Sequence, residues 1–317
     1  MSKNPKNTFI KYQVLWLTRR IGRKIFRQPI VYNVYGDGIL TEIQEAEDMI
    51  AEWITIGNPF AVVRFGSVEL DAVWRQDTPG GISKGNMNRI KQKMENNAGF
   101  FGATDISLRR YAELFKDSCG KADMVGCWFN VMEDYMIDIY GKSPVLTRLR
   151  AIEPWYVERP WTRALEGKKV LVIHPFAETI KKQYQNRERL FKNRLILPEF
   201  SDLYVLKAVQ TIAGCTDDRF QNWFEALDWM YKEAMKVDFD VAIIGCGAYG
   251  FPLATKIKEA GKQAVHMGGA TQLLFGIKGS RWDNHPVIGK LYNEYWTRPG
   301  ISETPEKASA VEAGCYW

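Results

Sequence analysis

Residues 240–269 read as a strand, a glycine-rich turn, a helix and a second strand, and this unit constrains the fold most. Val241–Ile244 is a continuous apolar run, as expected of a parallel strand that is buried on both faces. Glycines at 245, 247 and 250 then form the pattern G-x-G-x-x-G, at the point where the strand must turn into a helix. Apolar residues at helical spacing follow, and residues 264–266 begin the next strand. The unit predicts an α/β fold.

The glycine-rich turn has two readings. Glycines let a ligand approach the backbone closely, and the free N–H groups of the following helix suit a phosphate. The same pattern also forms a close-packed strand–helix turn that binds nothing. A dinucleotide-binding unit carries an acidic residue about twenty residues past its first glycine, where this chain has Val265 and His266. This absence disfavours NAD(P), and the turn by itself indicates a nucleotide or no ligand.

Several functional classes are excluded by motifs that the sequence lacks. It contains no G-x-x-x-x-G-K-[ST] loop and no H-E-x-x-H zinc spacing. Its five cysteines are odd in number and show no C-x-x-C spacing, which indicates a reducing compartment and no structural zinc. Without a signal peptide or a long apolar span, the expected location is the cytoplasm.

Positive charge is concentrated at the amino terminus. Residues 1–30 contain eight lysines and arginines and no acidic residue, whereas the whole chain carries a net charge of +6, so residues 31–317 sum to −2. Apolar residues interleave with these cations, which predicts a basic amphipathic helix. Residues 9–27 then either contact an anionic membrane surface, which makes the protein peripheral on its inner face, or dock on the domain. Nucleic acid is not an expected partner, because the body carries no spread of cations.

The remaining pattern predicts one α/β domain over residues 31–297. The proline- and aromatic-rich stretch 153–167 is a possible internal boundary, and its Trp155, Tyr156 and Trp161 are candidates to stack on acceptor sugars. Residues 298–317 are small and polar without periodicity, which predicts a flexible tail. Further strands are expected at 60–63, 124–128, 168–173, 195–197 and 204–212. Further helices are expected at 42–56, 88–97, 107–115, 133–140, 178–191 and 220–237.

The first chemically interesting loop follows the predicted strand 60–63. Arg64 comes directly after that buried strand and can donate two hydrogen bonds to a phosphate, with Gly66 and Ser67 beside it. Glu69, alone or with Asp71, offers the hard oxygen ligands that Mg²⁺ or Mn²⁺ prefers. The competing interpretation is a solvated helix start, where acidic residues are favoured by the helix dipole.

Two more loops follow strands of the same predicted sheet. His174 can orient a phosphate or act as a general base, and Glu178 is the alternative base, although a histidine at a strand end is often structural. The third loop combines the glycine-rich turn with the residues that follow its second strand. Its candidate nucleotide-binding residues are Gly245, Gly247, Tyr249, Gly250, His266, Gly268, Gly269 and Arg281, with Trp282 as a second stacking candidate. Because such loops line one crevice in an open parallel sheet, we expect all three to meet.

The segment VRFGSVEL, residues 63–70, resembles the R-[FY]-G-D-G-E-like segment of the GT-D-type glycosyltransferases, which contains a D-x-E motif. The blocks LEGKKVLVIHPF, GCGAYGFPLA and HMGGATQLLFGIKGSRW are similar to those of GT-D-like proteins found with bacterial surface-polysaccharide enzymes, so the resemblance covers roughly residues 40–290. It implies a Rossmann-like, mostly parallel sheet with flanking helices, a UDP-sugar donor, a divalent metal and a saccharide acceptor.

Matched by position, Glu69 corresponds to the glutamate of D-x-E, and Arg64 and Gly66 to its leading residues. Ser67 stands where the family has aspartate, so one of two expected carboxylates is missing. Either Asp71 compensates for it, or the enzyme works without a metal or with a different donor. The function expected from residues and resemblance together is transfer of a sugar from a nucleotide-sugar to a glycan or lipid-linked acceptor.

Two other classes remain open at this point. A non-catalytic nucleotide-sugar-binding or scaffold protein would explain the altered D-x-E motif. An enzyme that depends on NAD(P) or S-adenosylmethionine would use the glycine-rich turn, although the expected acid after its second strand is missing.

Overall fold

The structure is a computed structural model that describes residues 5–26, 34–35, 38–311 and 314–317. Its strands are β1 (Val34–Tyr35), β2 (Gly38–Thr41), β3 (Phe60–Val63), β4 (Met124–Cys127), β5 (Val145–Arg148), β6 (Lys169–His174), β7 (Asp202–Lys207), β8 (Val241–Ile244) and β9 (Gln263–His266). Its α-helices are α1 (Pro5–Phe26), α2 (Ile43–Ile56), α3 (Ser67–Trp74), α4 (Lys84–Asn97), α5 (Asp105–Cys119), α6 (Glu133–Tyr140), α7 (Ala177–Tyr184), α8 (Arg187–Leu190), α9 (Trp223–Met235), α10 (Gly250–Glu259) and α11 (Thr271–Leu274).

All nine strands of the described chain form one sheet in the order β1-β2-β5-β4-β3-β9-β8-β6-β7. The edge strand β1 pairs antiparallel with β2, and every other pairing is parallel. The central strands β3 and β8 are the continuous apolar runs FAVV and VAII, and all their residues are buried. Strands of this composition need cover on both faces, which helices provide. The predicted α/β fold with a mostly parallel sheet is confirmed.

Alternate residues of each central strand enter two separate cores. In β3, Ala61 and Val63 pack with helices α3, α5 and α10, whereas Phe60 and Val62 pack on the opposite face with α2. The same alternation holds in β6 and β8, as the two-residue period of a strand requires. The molecule therefore has three layers, with helices on each face of the sheet.

The predicted internal boundary at 153–167 is a core connection. Trp155 and Trp161 are 7% and 0% exposed, and the indole Nε1 of Trp161 donates to the carbonyl oxygen of Ile152 at 3.0 Å. The sheet continues on both sides of this segment, from β5 to β6. The expectation that these tryptophans stack on acceptor sugars is therefore wrong, because both indoles are occupied by the protein interior.

The carboxyl-terminal segment folds onto the domain, contrary to the predicted flexible tail. Val311 and Cys315 are buried, and the buried carboxylate of Glu303 accepts hydrogen bonds from the backbone N–H of Glu178 at 2.7 Å and from the Thr179 hydroxyl. One carboxylate at the start of α7 and a few apolar side chains are enough to fix a segment that has no periodicity.

Further strands differ from the prediction. The predicted strand at 195–197 is a 3₁₀ turn, and the strand predicted over 204–212 is β7, which ends at Lys207. Strands β1, β2 and β5 were not predicted. Strand β1 has only two residues, and β2 and β5 lack the continuous buried apolar run that marks β3 and β8.

The predicted amino-terminal helix is present as α1, although residues 1–4 and 27–30 lie outside the described residues. It docks on the domain through Phe9 and Tyr12, which are buried against Tyr135 of α6, and through an ion pair of 2.6 Å between Arg19 and Asp134. Among the described helices, none is both long and apolar enough to cross a bilayer.

Buried carboxyl groups give the fold a defined dependence on pH. Burial raises the pKa of Glu47 to about 8, although the backbone N–H of Trp161 bonds its carboxylate, and burial raises the pKa of Glu133 to about 7. The folded state thus retains protons that the unfolded state releases above pH 4.5, so this contribution to stability falls as pH rises through 7 to 8. His174 and His266 act oppositely, but only below pH 6.5, because their pKa values are lowered to about 3.

We therefore expect the melting temperature to fall between pH 6.5 and 8, and to fall less in the Glu47→Gln variant. The difference should be of the order of 1 kcal/mol, since one pKa unit corresponds to about 1.4 kcal/mol. Thermal melts at several pH values measure it, with Glu45→Gln as an exposed control on the same helix. Parallel pH profiles for the wild type and Glu47→Gln would contradict the assignment.

Candidate functional site

Loops at the carboxyl ends of the parallel strands converge on one cleft. They follow β3, β4, β6, β8 and β9, and the carboxyl-terminal residues Tyr316 and Trp317 close one side. All three loops that were predicted to meet contribute residues to the lining of this cleft. The predicted site residues that line the cleft are Arg64, Gly66, Ser67, Glu69, His174, Gly245, Gly247, Tyr249, His266, Gly268, Gly269 and Arg281. Gly250, Asp71, Glu178 and Trp282 are not among its lining residues.

Arg64 places a guanidinium group at the wall of the cleft. Its Nε is buried without a hydrogen-bond partner, and within the described chain its guanidinium forms no ion pair, only a bond from Nη2 to the carbonyl oxygen of Phe65 at 3.3 Å. Gly268 has a φ of +64°, and a Cβ there would lie 2.6 Å from Nη1 of Arg64. The glycine after β9 thus makes room for the guanidinium. An anion that pairs with Arg64 would satisfy a donor that the protein leaves unmet.

Trp128, which the sequence analysis did not select, covers Arg64. The guanidinium carbon lies 4.5 Å from the centroid of its ring, and the side chain is 43% exposed at the cleft. An exposed tryptophan that stacks on a cation and still presents its ring to solvent can receive a flat ligand group. The only sequence signal was its place at the carboxyl end of the predicted strand 124–128.

The Trp128 loop is held by a buried carboxylate. Glu133 accepts from the backbone N–H groups of Trp128 at 3.1 Å and Asn130 at 3.2 Å, and from the Tyr35 hydroxyl at 3.0 Å. Phe129 within the loop has a φ of +60°, a conformation that costs energy for a residue with a side chain. Strain of this kind persists only where surrounding contacts impose it, and here the contacts fix Trp128.

The glycine-rich turn serves packing more than ligand binding. The N–H groups of Gly245 and Ala248 donate to the carbonyl oxygens of Ile173 and Ala98, at 2.9 and 3.0 Å. Gly250 meets the His266 ring, which lies 2.2 Å from where a Cβ would stand. At most the backbone N–H groups of residues 246 and 247 remain free to bind a ligand. The turn therefore forms one edge of the cleft and does not surround a phosphate as predicted.

His174 lines the cleft as a neutral ring. Burial lowers its pKa to about 3, and its Nδ1 accepts a hydrogen bond from the backbone N–H of Phe176 at 3.0 Å. With Nδ1 engaged as an acceptor, the proton of the neutral ring lies on Nε2. His174 is therefore a hydrogen-bond donor, which suits contact with an oxygen and disagrees with the predicted role as a general base.

His266 is also neutral, because burial first and the charge of Arg64 second lower its pKa to about 3. Its Nδ1 lies 3.2 Å from the carbonyl oxygen of Ile244. This bond and its contact with Gly250 fix the ring in the interior, where it supports the wall of the cleft.

Glu69 lies in the first turn of α3 and lines the cleft. Its carboxylate folds back over Gly66, where a Cβ would stand 2.0 Å from Oε2. Gly66 thus lets the carboxylate approach the backbone. Among the cleft-lining residues of the described chain, Glu69 is the only one with a carboxylate side chain.

The predicted divalent-metal site does not fit these residues. Asp71 pairs with Arg75 at 2.7 Å, and residues two apart on a helix point to different faces, so Asp71 does not join Glu69. Ser67, where aspartate was expected, offers a hydroxyl. Within the described ranges no group of three or more His, Cys, Asp or Glu side chains is arranged to hold a metal ion. Within the described residues, neither Ser67 nor Asp71 supplies the second carboxylate that a D-x-E metal site would need.

Two other predicted residues have different surroundings. Glu178 lies outside the cleft, with a side chain that is 70% exposed and pairs with Lys181 at 3.0 Å, so its predicted role as a base is wrong. Tyr249 is 1% exposed and stacks on Trp223, with ring centroids 4.6 Å apart, which leaves it a wall residue instead of a stacking platform.

Arg281 brings a second cation to the cleft. Its guanidinium lies 5.0 Å from the ring centroid of Tyr316, and its Nη1 donates to the Tyr316 hydroxyl at 3.3 Å. The carboxyl-terminal segment therefore positions this arginine. No sequence signal had connected Tyr316 or Trp317 to the site.

The chain is similar to known proteins over most of its length. The GT-D fold-like domain family matches residues 41–274. A selenomethionine-substituted structure of domain of unknown function 1792 has 12% sequence identity and a TM-score of 0.45, over 83% of this chain and 92% of that chain. Another structure, described as showing that this highly conserved domain has a distinct glycosyltransferase fold, has 13% identity and a TM-score of 0.37 over the same shares. No curated protein matches the sequence.

Proposed function

The chain belongs to the GT-D fold-like domain family, and from this premise we propose that it is a glycosyltransferase. It moves a sugar from a nucleotide-sugar donor, with UDP-sugars as the first candidates, to a saccharide or lipid-linked acceptor. The setting that we propose is bacterial surface-polysaccharide or glycoconjugate synthesis, on the cytoplasmic side.

The observation that supports this function most is the state of Arg64. A guanidinium with an unpartnered, buried Nε stands at the carboxyl edge of a parallel sheet, beside an exposed tryptophan. Ligands of open α/β sheets bind at this edge. A nucleoside diphosphate supplies both complements at once, an anion for Arg64 and a flat base for Trp128.

The reacting groups follow from this placement. The acceptor hydroxyl gives its proton to the Glu69 carboxylate and attacks the anomeric carbon of the donor sugar. The bond from that carbon to the diphosphate breaks, and the leaving oxygen keeps the electron pair. Arg64 and Arg281 stabilise the charge that develops on the diphosphate, and His174 Nε2–H can donate to an oxygen of either substrate. No step passes through a metal, because the residues do not fit one.

The experiment that tests the proposal is release of nucleoside diphosphate from a panel of UDP- and GDP-sugars. Each donor is incubated with the protein and with saccharide or lipid-linked acceptors, with EDTA or with Mn²⁺. Release that increases with acceptor in EDTA supports the transferase and its metal-free site. Release only with Mn²⁺ would contradict the metal-free assignment, and no release from any donor would contradict the transferase.

Trp128→Ala should weaken binding of the nucleoside diphosphate by about ten-fold, since stacking of a base on an aromatic ring contributes about 1–3 kcal/mol. Trp128→Phe should retain most of the affinity, because the ring face remains. Calorimetric titration of the diphosphate measures both variants. Equal affinity in Trp128→Ala and the wild type would place the base elsewhere.

A further inference from the structure

Helix α1 carries apolar side chains on two opposite faces, and only one of them is used by the fold. The inward face holds Phe9 and Tyr12, which are 1% and 2% exposed against α3 and α6. Arg19, two turns beyond Tyr12, pairs with Asp134 at 2.6 Å. These contacts attach the helix to the domain, and the outward face of the helix takes no part in them.

The outward face is an unbroken apolar stripe. Ile10, Val14, Leu17 and Ile21 are 53%, 53%, 48% and 54% exposed. Their spacings of four, three and four residues keep them on one side of a helix. A single exposed aliphatic residue is ordinary on a protein surface, but four in succession over three turns are not.

Cations border this stripe on both sides. At about 100° per residue, Lys11 falls beside one margin of the stripe and Arg20 beside the other, and both are exposed. The first 30 residues hold eight cations and no acid, whereas the rest of the chain carries −2. The segment that contains the exposed apolar stripe is therefore also the basic segment of the sequence.

We propose that the outward face of α1 binds the surface of an anionic lipid bilayer. The helix lies in the plane of the interface, with the stripe Ile10-Val14-Leu17-Ile21 among the acyl chains and the cations at the headgroups. Each lysine or arginine near such a surface adds electrostatic attraction to anionic headgroups. A second copy of the chain is a poorer occupant, because a two-fold contact would bring two uniformly basic helices together.

Docking of α1 also connects the membrane to the cleft. The helix packs on Trp74 of α3 and Tyr135 of α6. Helix α3 begins at the Arg64–Glu69 loop, and α6 begins where the Trp128 loop ends. The helix thus packs on two helices that begin at loops lining the cleft. Membrane binding itself does not depend on the proposed transferase.

Flotation with vesicles tests the proposal. The full chain should float with vesicles of phosphatidylcholine and phosphatidylglycerol, float much less with phosphatidylcholine alone, and be released by salt. The double variant Val14→Glu/Leu17→Glu should lose at least ten-fold in vesicle affinity, because it removes apolar contact and adds repulsion. The control is Ile106→Glu on α5, where an isoleucine is 78% exposed away from α1.

Thermal melting of each variant keeps the result interpretable. Both substituted residues of α1 are about half exposed, so the double variant should melt within a few degrees of the wild type. Equal flotation of wild type and double variant would overturn the proposal. So would a dimer in light scattering that the double variant dissociates, since the stripe would then be a contact between copies.

Discussion

Replacing Glu69 with glutamine should lower kcat by about 10²–10⁴-fold, the range attributed to a positioned general base. Glutamine keeps the shape of the side chain over Gly66, so the backbone of the loop should not move. Glu69 is the only cleft-lining residue of the described chain with a carboxylate side chain, so this substitution removes the proposed base. Steady-state rates of diphosphate release measure kcat, and parallel titrations of the donor measure its affinity. Donor affinity should change by only a few-fold.

Asp71→Asn is the matched control for this prediction. Asp71 is two residues along the same helix and pairs with Arg75, so its loss should alter stability slightly and kcat by no more than a few-fold. An equal loss of kcat in both variants would restore the two-carboxylate metal site. Full activity in Glu69→Gln would remove the base from the account, and donor binding without turnover in the wild type would favour the scaffold interpretation.

Replacing Arg64 with alanine should weaken binding of a nucleoside diphosphate by about 10–100-fold, since a charge-assisted hydrogen bond contributes about 1.5–3 kcal/mol. The reason is that the guanidinium Nε is buried without a hydrogen-bond partner, so an anion bound there would satisfy it. Arg64→Lys should recover only part of the affinity, because an ammonium cannot form the two-point contact with a phosphate. Calorimetric titration of UDP and GDP against the three proteins gives the comparison.

Arg75→Ala provides the control for general loss of charge. Arg75 follows the same loop and helix, yet it pairs with Asp71 and lies over the Trp74 ring, outside the cleft. Its removal should leave the affinity for the diphosphate within two- to three-fold of the wild type. A similar loss in Arg64→Ala and Arg75→Ala would mean that the field of the whole surface attracts the ligand, and that Arg64 has no special part.

The location of the site could be predicted from the sequence, because short apolar runs determine which residues lie at one edge of the sheet. Apolar runs at 60–63 and 241–244 predicted buried parallel strands, and parallel strands place the residues after them at one edge. Arg64, Glu69 and His174 were found in this way. The sequence did not reveal how each side chain is then used, because this depends on neighbours that are distant in the chain.

Trp128 and Glu178 illustrate that limit from both sides. Trp128 owes its position to a loop held by Glu133 and Tyr35, and Tyr35 is 93 residues away in the chain. Glu178 also follows a strand at the edge of the sheet that carries the cleft, but its side chain points to solvent from the first turn of α7. The carboxyl-terminal segment lacked any periodic pattern, yet Glu303 caps α7 and Trp317 reaches the cleft. Single side-chain anchors of this kind leave no periodic trace in a sequence.

The most direct test of the central claim is a thermal-shift comparison of the wild type and Arg64→Ala with UDP, GDP, UDP-glucose, NAD and S-adenosylmethionine, in EDTA. A ligand that binds the folded state raises the melting temperature in proportion to its excess over its dissociation constant. The account predicts stabilisation by a nucleoside diphosphate or its sugar, and loss of that stabilisation in Arg64→Ala. Stabilisation by NAD or S-adenosylmethionine instead, an equal shift in both proteins, or no shift with any ligand would contradict it.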